Sequence, residues 1–403
     1  MTRLSSTSLA LASLFAWAAS ASTPGGRDPD ALRDEPSSAA VRVVVDGHDL
    51  SAFSSLPADP RPARIIRGVH YWIGNEDRLD VFAPALRALR GQGGVHIGVG
   101  AEQNWVFAGW SRPDVVVMMD FDQAIVDLHH VYLAAFALAP SRHAFRGLFV
   151  DEEASALRAE VARRLPAGEV RDGALEALTT ARPRIARRIG RLVAHLPARG
   201  VTSFLTDDDD YAFVRGLVLA GRVFVVRGDL TGPGTMGAIA AACRAAGLSV
   251  ASLYMSNAEQ YFEYSPRTRE NMSDLPWADF GVVLRTHGDS SLDWVDDTPP
   301  FSAIEADLEY LPANKPKDNF HYGIQSAASL RSFLAARRIA SALDILRVAP
   351  PTAVRGCSRL DDSDVDAVTH AWQKRRASAS TRAPSSSSSV TPPTPPPPQE
   401  ATR

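Results

Sequence analysis

"HIGVGAEQNW", His96 to Trp105, decides how the chain is read. A short apolar run ends on two glycines, Gly98 and Gly100, and leads into a segment that suits a helix. Glycines at the end of a strand let backbone amides approach a ligand, and the following helix presents its positive end to the same place. The same pair equally serves a plain strand-to-helix turn that needs positive φ. The surrounding pattern has to separate the two.

Working outward, "DRLDVFAPALRALR" (77–90) carries apolar residues at helical spacing, and "VHIGVG" (95–100) reads as a short strand. "DVVVMMDFD" (114–122) is β-rich and apolar without alternation, which predicts a strand covered on both faces. Residues 123–221, rich in Ala, Leu and Arg, read as a helical insertion between the second and third strands. "RVFVVRGD" (222–229), "SVASLYMSN" (249–257) and "FGVVLRT" (280–286) are further strands, and "FHYGIQS" (320–326) is strand-like. "GPGTMGAIAAACRAAG" (232–247) is a helix with Pro near its start and Gly at its end. The alternation predicts an α/β fold: a doubly wound, mostly parallel sheet with helices on both faces.

With 403 residues, 45% of them hydrophobic, the chain can bury one large core, and a net charge of −3 argues against a nucleic-acid partner. Arg3, the run "LALASLFAWAAS" and the small pair Ala19 and Ala21 predict a signal peptide over 1–21 and export to the periplasm or the extracellular space. That run is too short to span a bilayer, and no later segment is long and apolar enough. A polar, flexible leader is expected over 22–55 and the folded domain over 56–375. From 376 to 403 the chain is Ser/Pro-rich and predicted to be disordered. Export permits a disulfide between Cys243 and Cys357, although Cys243 sits in an Ala-rich run that suits a buried thiol. No sequence feature specifies an oligomeric state.

In doubly wound sheets ligands bind at the carboxyl ends of the strands. The first strand ends in Gly98 and Gly100, the second in Asp120 and Asp122, the third in Gly228-Asp229 and the fourth in Ser256-Asn257. This layout resembles the Rossmann-like core of S-adenosylmethionine-dependent methyltransferases. The resemblance implies S-adenosylmethionine as cofactor. Gly98 and Gly100 would face the methionine part, and Glu102 and Asn104 of the same loop would be cofactor-binding residues as well. Asp120 or Asp122 would hold the ribose, and Asp229 would stand near the adenine amine. Glu102 replaces the third glycine of the usual loop, and no Pro-Pro follows Asn257.

"GNEDRLDVFAPAL", "GVGAEQNW", "YAFVRGLVLAGRVFVVRGDLTGP" and "YMSNAEQYF" together resemble, over about 70 to 345, a bacterial family with a methyltransferase-like core and no established reaction. Its members show G-V-G-x-[ED]-Q-N-F, G-D-x-x-G-P and S-N-x-E-x-Y, found here at Gly98–Trp105, Gly228–Pro233 and Ser256–Tyr261. Trp105 stands where the family has Phe. "DFDQ" stands where it often has D-x-R-R, which removes two positive charges from the edge of the site.

On the acceptor side, Asn257 could hold a substrate atom, Glu259 could act as general base and Tyr261 could stack on a flat substrate. The same stretch also reads as a capped helix start, with Ser256 or Asn257 as N-cap and Tyr261 packed inward. "GNED" (Gly74–Asp77) either caps a helix through Asn75 or reaches the glycine loop from the front. "TDDDD" (Thr206–Asp210) reads as a helix start. His129 and His130 are adjacent, do not share a helix face and make a poor chelate, so no metal site is predicted. The expected function is binding of a small-molecule ligand, S-adenosylmethionine or a related nucleoside, with methyl transfer as the reaction of an enzyme. Export works against the enzyme, because S-adenosylmethionine is made in the cytoplasm. Two alternatives stand beside it: a non-catalytic envelope binding protein on the same fold, and a metal-dependent glycosyl- or nucleotidyl-type transferase using Asp120-x-Asp122.

Overall fold

All six residues of Val115–Asp120 are buried, as the unbroken apolar run requires. Val116 and Met118 face one hydrophobic cluster, while Val115, Val117 and Met119 face a second. The period-2 alternation is present, but both faces are apolar because both are covered by helices. The computed structural model describes residues 44–45, 47–150, 154–288, 320–350, 352–354 and 356–380. The expected signal peptide and most of the expected tail lie outside the described residues. The chain divides into two compact units, Met1–Val41 and Arg42–Arg403, and the described residues belong to the second.

Seven strands form the main sheet: β1 Val95–Val99, β2 Val115–Asp120, β3 Val223–Arg227, β4 Val250–Tyr254, β5 Trp277–Gly288, β6 Phe320–Ser326 and β7 Cys357–Leu360. Their order is β3-β2-β1-β4-β5-β6-β7. β1 to β5 run parallel, β6 is antiparallel to β5, and β7 is parallel to β6. The strand order reverses at β1, which lies between β2 and β4. A doubly wound sheet opens its ligand crevice at such a point. The architecture is therefore α/β and Rossmann-like, with a mostly parallel sheet.

One face is covered by α1 Gln103–Ser111, α2 Gln123–Leu138, α3 Arg142–Gly147, α4 Ala154–Arg164, α5 Glu169–Ala198 and α6 Asp208–Leu219. The other is covered by α7 Thr235–Ala246, α8 Pro266–Ser273, α9 Ala327–Ala335, α10 Ala342–Val348 and α11 Val365–Ser380. Helices α2 to α6 occupy the 123–221 stretch between β2 and β3. Asp207 caps α6 through the amide of Asp210 and so accounts for the acidic run there. Gly247, at φ +66°, ends α7.

Both domain limits shift outward. Leu50 and Phe53, expected in a flexible leader, are buried in the second cluster, and Phe53 stacks on Phe224 at 5.2 Å. His48 Nδ1 contacts the Ala246 carbonyl at 2.7 Å. Two apolar side chains in a polar stretch are enough to dock it. At the other end α11 runs on to Ser380, past the expected limit at 375. Cys243 and Cys357 are free and buried, so no disulfide joins them. Among the described residues no helix is long and apolar enough to cross a membrane.

Candidate functional site

The carboxyl ends of β1, β2 and β4 open into one cleft of about 710 Å³, part of it continuous with solvent. Ile65, Ile66, Val69 and Ile73, from the segment before the sheet, form an apolar wall. Gly100, Gln103, Asp120, Asp122, Ser256, Asn257 and Glu76 also line the cleft.

The glycine loop is built from within. Gly100 has φ +95°, which only glycine adopts without strain. A Cβ on Gly98 would lie 2.2 Å from Asn104 Oδ1. Asn104 is fully buried and donates Nδ2–H to the Val99 carbonyl at 2.9 Å. Gly98 thus makes room for Asn104, and neither residue lines the cleft. His129 lies behind the loop with Nε2 at 2.8 Å from the Gly100 carbonyl. Burial pushes its pKa down to about 4, so the ring is neutral and Nε2–H is the donor. The histidine of the "HH" pair that faces inward is therefore a support for the loop.

Asp120 accepts the amide of Asp122 at 2.8 Å, with the Gly100 and Phe121 amides near its carboxylate. Burial is the largest influence on its carboxyl and raises the pKa to about 7; the three amides oppose that shift, and the neighbouring Asp122 adds to it. Asp122 caps α2 through the Ala124 amide and holds His70 Nδ1 at 2.8 Å. Both acids line the cleft. Among the described residues no group of three or more His, Cys, Asp or Glu side chains could hold a metal ion.

Three further expected site residues lie elsewhere. Glu102 is buried in an ion pair with Arg188 of α5, Nε to Oε1 2.7 Å, and its other oxygen accepts the Gly74 amide at 2.9 Å. Asp229 accepts the amide and hydroxyl of Thr231, both at 2.8 Å. The β3 end beside it is filled by Asp59, which accepts the amides of Asp229, Gly234 and Thr235. Glu259 is buried, with Arg285 Nε at 2.6 Å and the Tyr264 hydroxyl at 2.5 Å, so its carboxylate is engaged away from the cleft. Asn257 and Tyr261 do line the cleft. Asn257 makes no cap bond to the short 3₁₀ turn Ala258–Tyr261, and Tyr261 is 43% exposed instead of packed inward.

Sequence reasoning passed over Glu76. It comes from "GNED", and the segment reaches the loop from the front. Its Oε1 accepts hydroxyls from Tyr254 at 2.9 Å, Thr286 at 3.1 Å and Ser256 at 3.2 Å. Ser256 takes a left-handed φ of +50° at the end of β4, a strained conformation for a non-glycine residue. Arg188 holds this segment from below through the Glu76 carbonyl at 2.7 Å and Asp77 Oδ1 at 3.2 Å. An acid two residues after a glycine is a weak sequence signal, and a single arginine in an Arg-rich helix gives none.

No curated protein matches the chain. The model of one family, described as a domain of unknown function (DUF7790), matches residues 71–361, which takes in the sheet, the glycine loop and the cleft lining other than Ile65, Ile66 and Val69, and the chain belongs to that family.

Proposed function

We propose that the cleft binds a phosphate-free, positively charged nucleoside of the S-adenosylmethionine type. The observation that carries this is the charge of the lining. Glu76, Asp120 and Asp122 face the cleft, and no Lys or Arg lines it among the described residues. A nicotinamide dinucleotide or a sugar diphosphate would bring negative charge against these acids without a compensating cation. Asp120 stands at the end of the strand after the glycine loop, where an acid accepts ribose hydroxyls in Rossmann-like sheets. The apolar wall of Ile65, Ile66, Val69 and Ile73 suits a flat base.

As an enzyme the protein would transfer a methyl group by in-line attack, with its residues positioning an acceptor at the Asn257 and Tyr261 lip. One observation favours a second reading, binding without turnover: the expected general base, Glu259, is paired with Arg285. That reading also suits a protein carried out of the cytoplasm by the expected signal peptide, for which mature protein beginning at Ser22 is the check.

Calorimetric titration of the purified protein tests the proposal. S-adenosylmethionine and S-adenosylhomocysteine should bind, whereas NAD and UDP-glucose with manganese should not. Asp120→Ala should weaken binding by roughly 1–3 kcal/mol, the cost of stranding buried polar partners. Binding of the phosphate-bearing ligands alone would overturn the proposal and restore the Asp120-x-Asp122 metal transferase.

A further inference from the structure

Helix α5 carries a row of arginines without partners. From Ala177 to Thr206 the chain holds six arginines and no Asp or Glu, in a protein whose net charge is −3. Arg188 is taken up by Glu102 and Asp77, Arg199 pairs with Asp80, and Arg182 donates to the Phe149 carbonyl. Arg184, Arg187 and Arg191 are exposed and make no hydrogen bond or ion pair among the described residues. With His195, Ile73, Gly190 and Ala194 they line a groove open to solvent, and no acid lines it.

Positions 184, 187, 191 and 195 follow the i, i+3, i+7, i+11 spacing that keeps side chains on one helix face. Their rise along the axis is about 4.5 Å, then about 6 Å twice. Like charges so placed destabilise a helix unless groups of opposite sign cover them. A Cβ on Gly190 would meet nothing within 4 Å, so the space over it, between Arg187 and Arg191 in the chain, is open to an incoming group. Backbone groups in the middle of a helix are bonded within it, so only side chains are offered to a ligand here. The groove mixes cations with the apolar Ile73 and Ala194, and it has no aromatic ring on which a base could stack.

We propose that this face of α5 docks an acidic amphipathic helix of a protein partner. A second helix laid along α5 presents carboxylates with the same rise when they stand at i, i+3 and i+7, so each guanidinium can meet one. Arginine suits that pairing, because its planar fork takes a carboxylate in a bidentate bond. Aliphatic side chains beside the carboxylates cover Ile73 and Ala194, and the missing side chain of Gly190 lets the partner come close. A phosphate chain or a lipid headgroup would answer the charge and leave the apolar part of the groove unused. Ile73 lines the groove and the cleft alike, so the partner lies beside the apolar wall of the cleft. Docking there needs no nucleoside in the cleft.

Fluorescence anisotropy of labelled synthetic peptides, titrated with the full chain, tests this. One helical peptide carries Glu at i, i+3 and i+7 beside Ala and Leu on a single face. A second has Gln in place of each Glu, and a third has the composition of the first with its acids spread round the helix. The first should bind about tenfold more tightly than either control, and more weakly as salt rises. Arg187→Glu combined with Arg191→Glu should lose that preference and instead bind a peptide with Lys at the acidic positions. Both are exposed helix positions where Glu is a good helix former. If the charge-reversed protein does not fold, Arg187→Gln combined with Arg191→Gln should still lose the preference. Equal binding of the first three peptides by the wild type, or the same preference in the variants, overturns the proposal. So does tighter binding of inorganic tripolyphosphate or of phosphatidylglycerol vesicles than of the first peptide, which would make the groove a phosphate site.

Discussion

Glu76 and Glu259 are both buried glutamates at the carboxyl side of the sheet, and they are used in opposite ways. Glu259 is closed: one oxygen holds Arg285 and the other the Tyr264 hydroxyl. Glu76 is incomplete: three hydroxyls crowd one oxygen, and the other is buried without a protein partner. The difference separates a buried carboxylate completed by protein donors from one that keeps an oxygen without a protein partner. A carboxylate whose oxygens are all matched by protein donors is complete. One with a bare buried oxygen carries a desolvation cost that its neighbours do not offset.

The largest expected effect is on acid stability, since both regions rest on buried neutral histidines. His96 and His129 flank the glycine loop with pKa values lowered to about 4, and His287, near Arg285, and His321, paired with it across the sheet, have values lowered to about 3, in each case chiefly by burial. The native state thus binds fewer protons than the unfolded chain below pH 6.5, and stability falls as pH drops from 6.5 towards 4. The loss is on the order of 2–3 kcal/mol per histidine at the acid end. Denaturant melts across this range should show it, and a flat profile from pH 7 to 4.5 would contradict the neutral assignments.

Next comes the closed pair. Arg285→Met strands Glu259 in the core and should cost about 3–5 kcal/mol. Glu76→Gln keeps its crowded oxygen as an acceptor and should cost about 1 kcal/mol or less. Urea melts of the two variants would break the comparison if their losses proved equal.

Asp120 responds to pH with the opposite sign to the histidines. Its carboxyl titrates near 7, raised by burial, so the native state binds more protons than the unfolded chain from about pH 4 to 7. The wild type should lose stability relative to Asp120→Asn as pH rises through that window, by on the order of 1–3 kcal/mol. Affinity for a ribose, whose hydroxyls prefer the ionised acceptor, should rise over the same range and stay flat in the variant. A stability difference that does not change between pH 5 and 8 would show Asp120 to be ionised throughout.

The smallest effect is expected at Asn257. Its side chain caps nothing, so Asn257→Ala should change stability by no more than about 0.5 kcal/mol. A loss near 1 kcal/mol would return the residue to a capping role.

The sheet was legible because its strands are short apolar runs between punctuating residues, and because both faces being covered leaves a continuous pattern. β7 was not, since "CSRL" is four residues long with one polar side chain exposed, and pairing rather than composition makes it a strand. In the cleft, Gly100, Asp120 and Asp122 were readable from their place after strands. Glu102 and Glu259 misled for one reason: a carboxylate at a strand end reads the same whether it faces a ligand or an arginine 86 or 26 residues away. Gln103 sat between two chosen neighbours, and only its place in the cleft lining sets it apart.

Arg188 has a further consequence. It lies on the 30-residue helix α5, yet its guanidinium grips Glu102 and the backbone of the segment that carries Glu76. The helical layer is thus mechanically tied to the cleft it does not line. A ligand that pulls on Glu76 should be felt along α5 as slower amide exchange in its central turns. A poorly seated α5 would in turn blunt the cleft while leaving every lining residue in place.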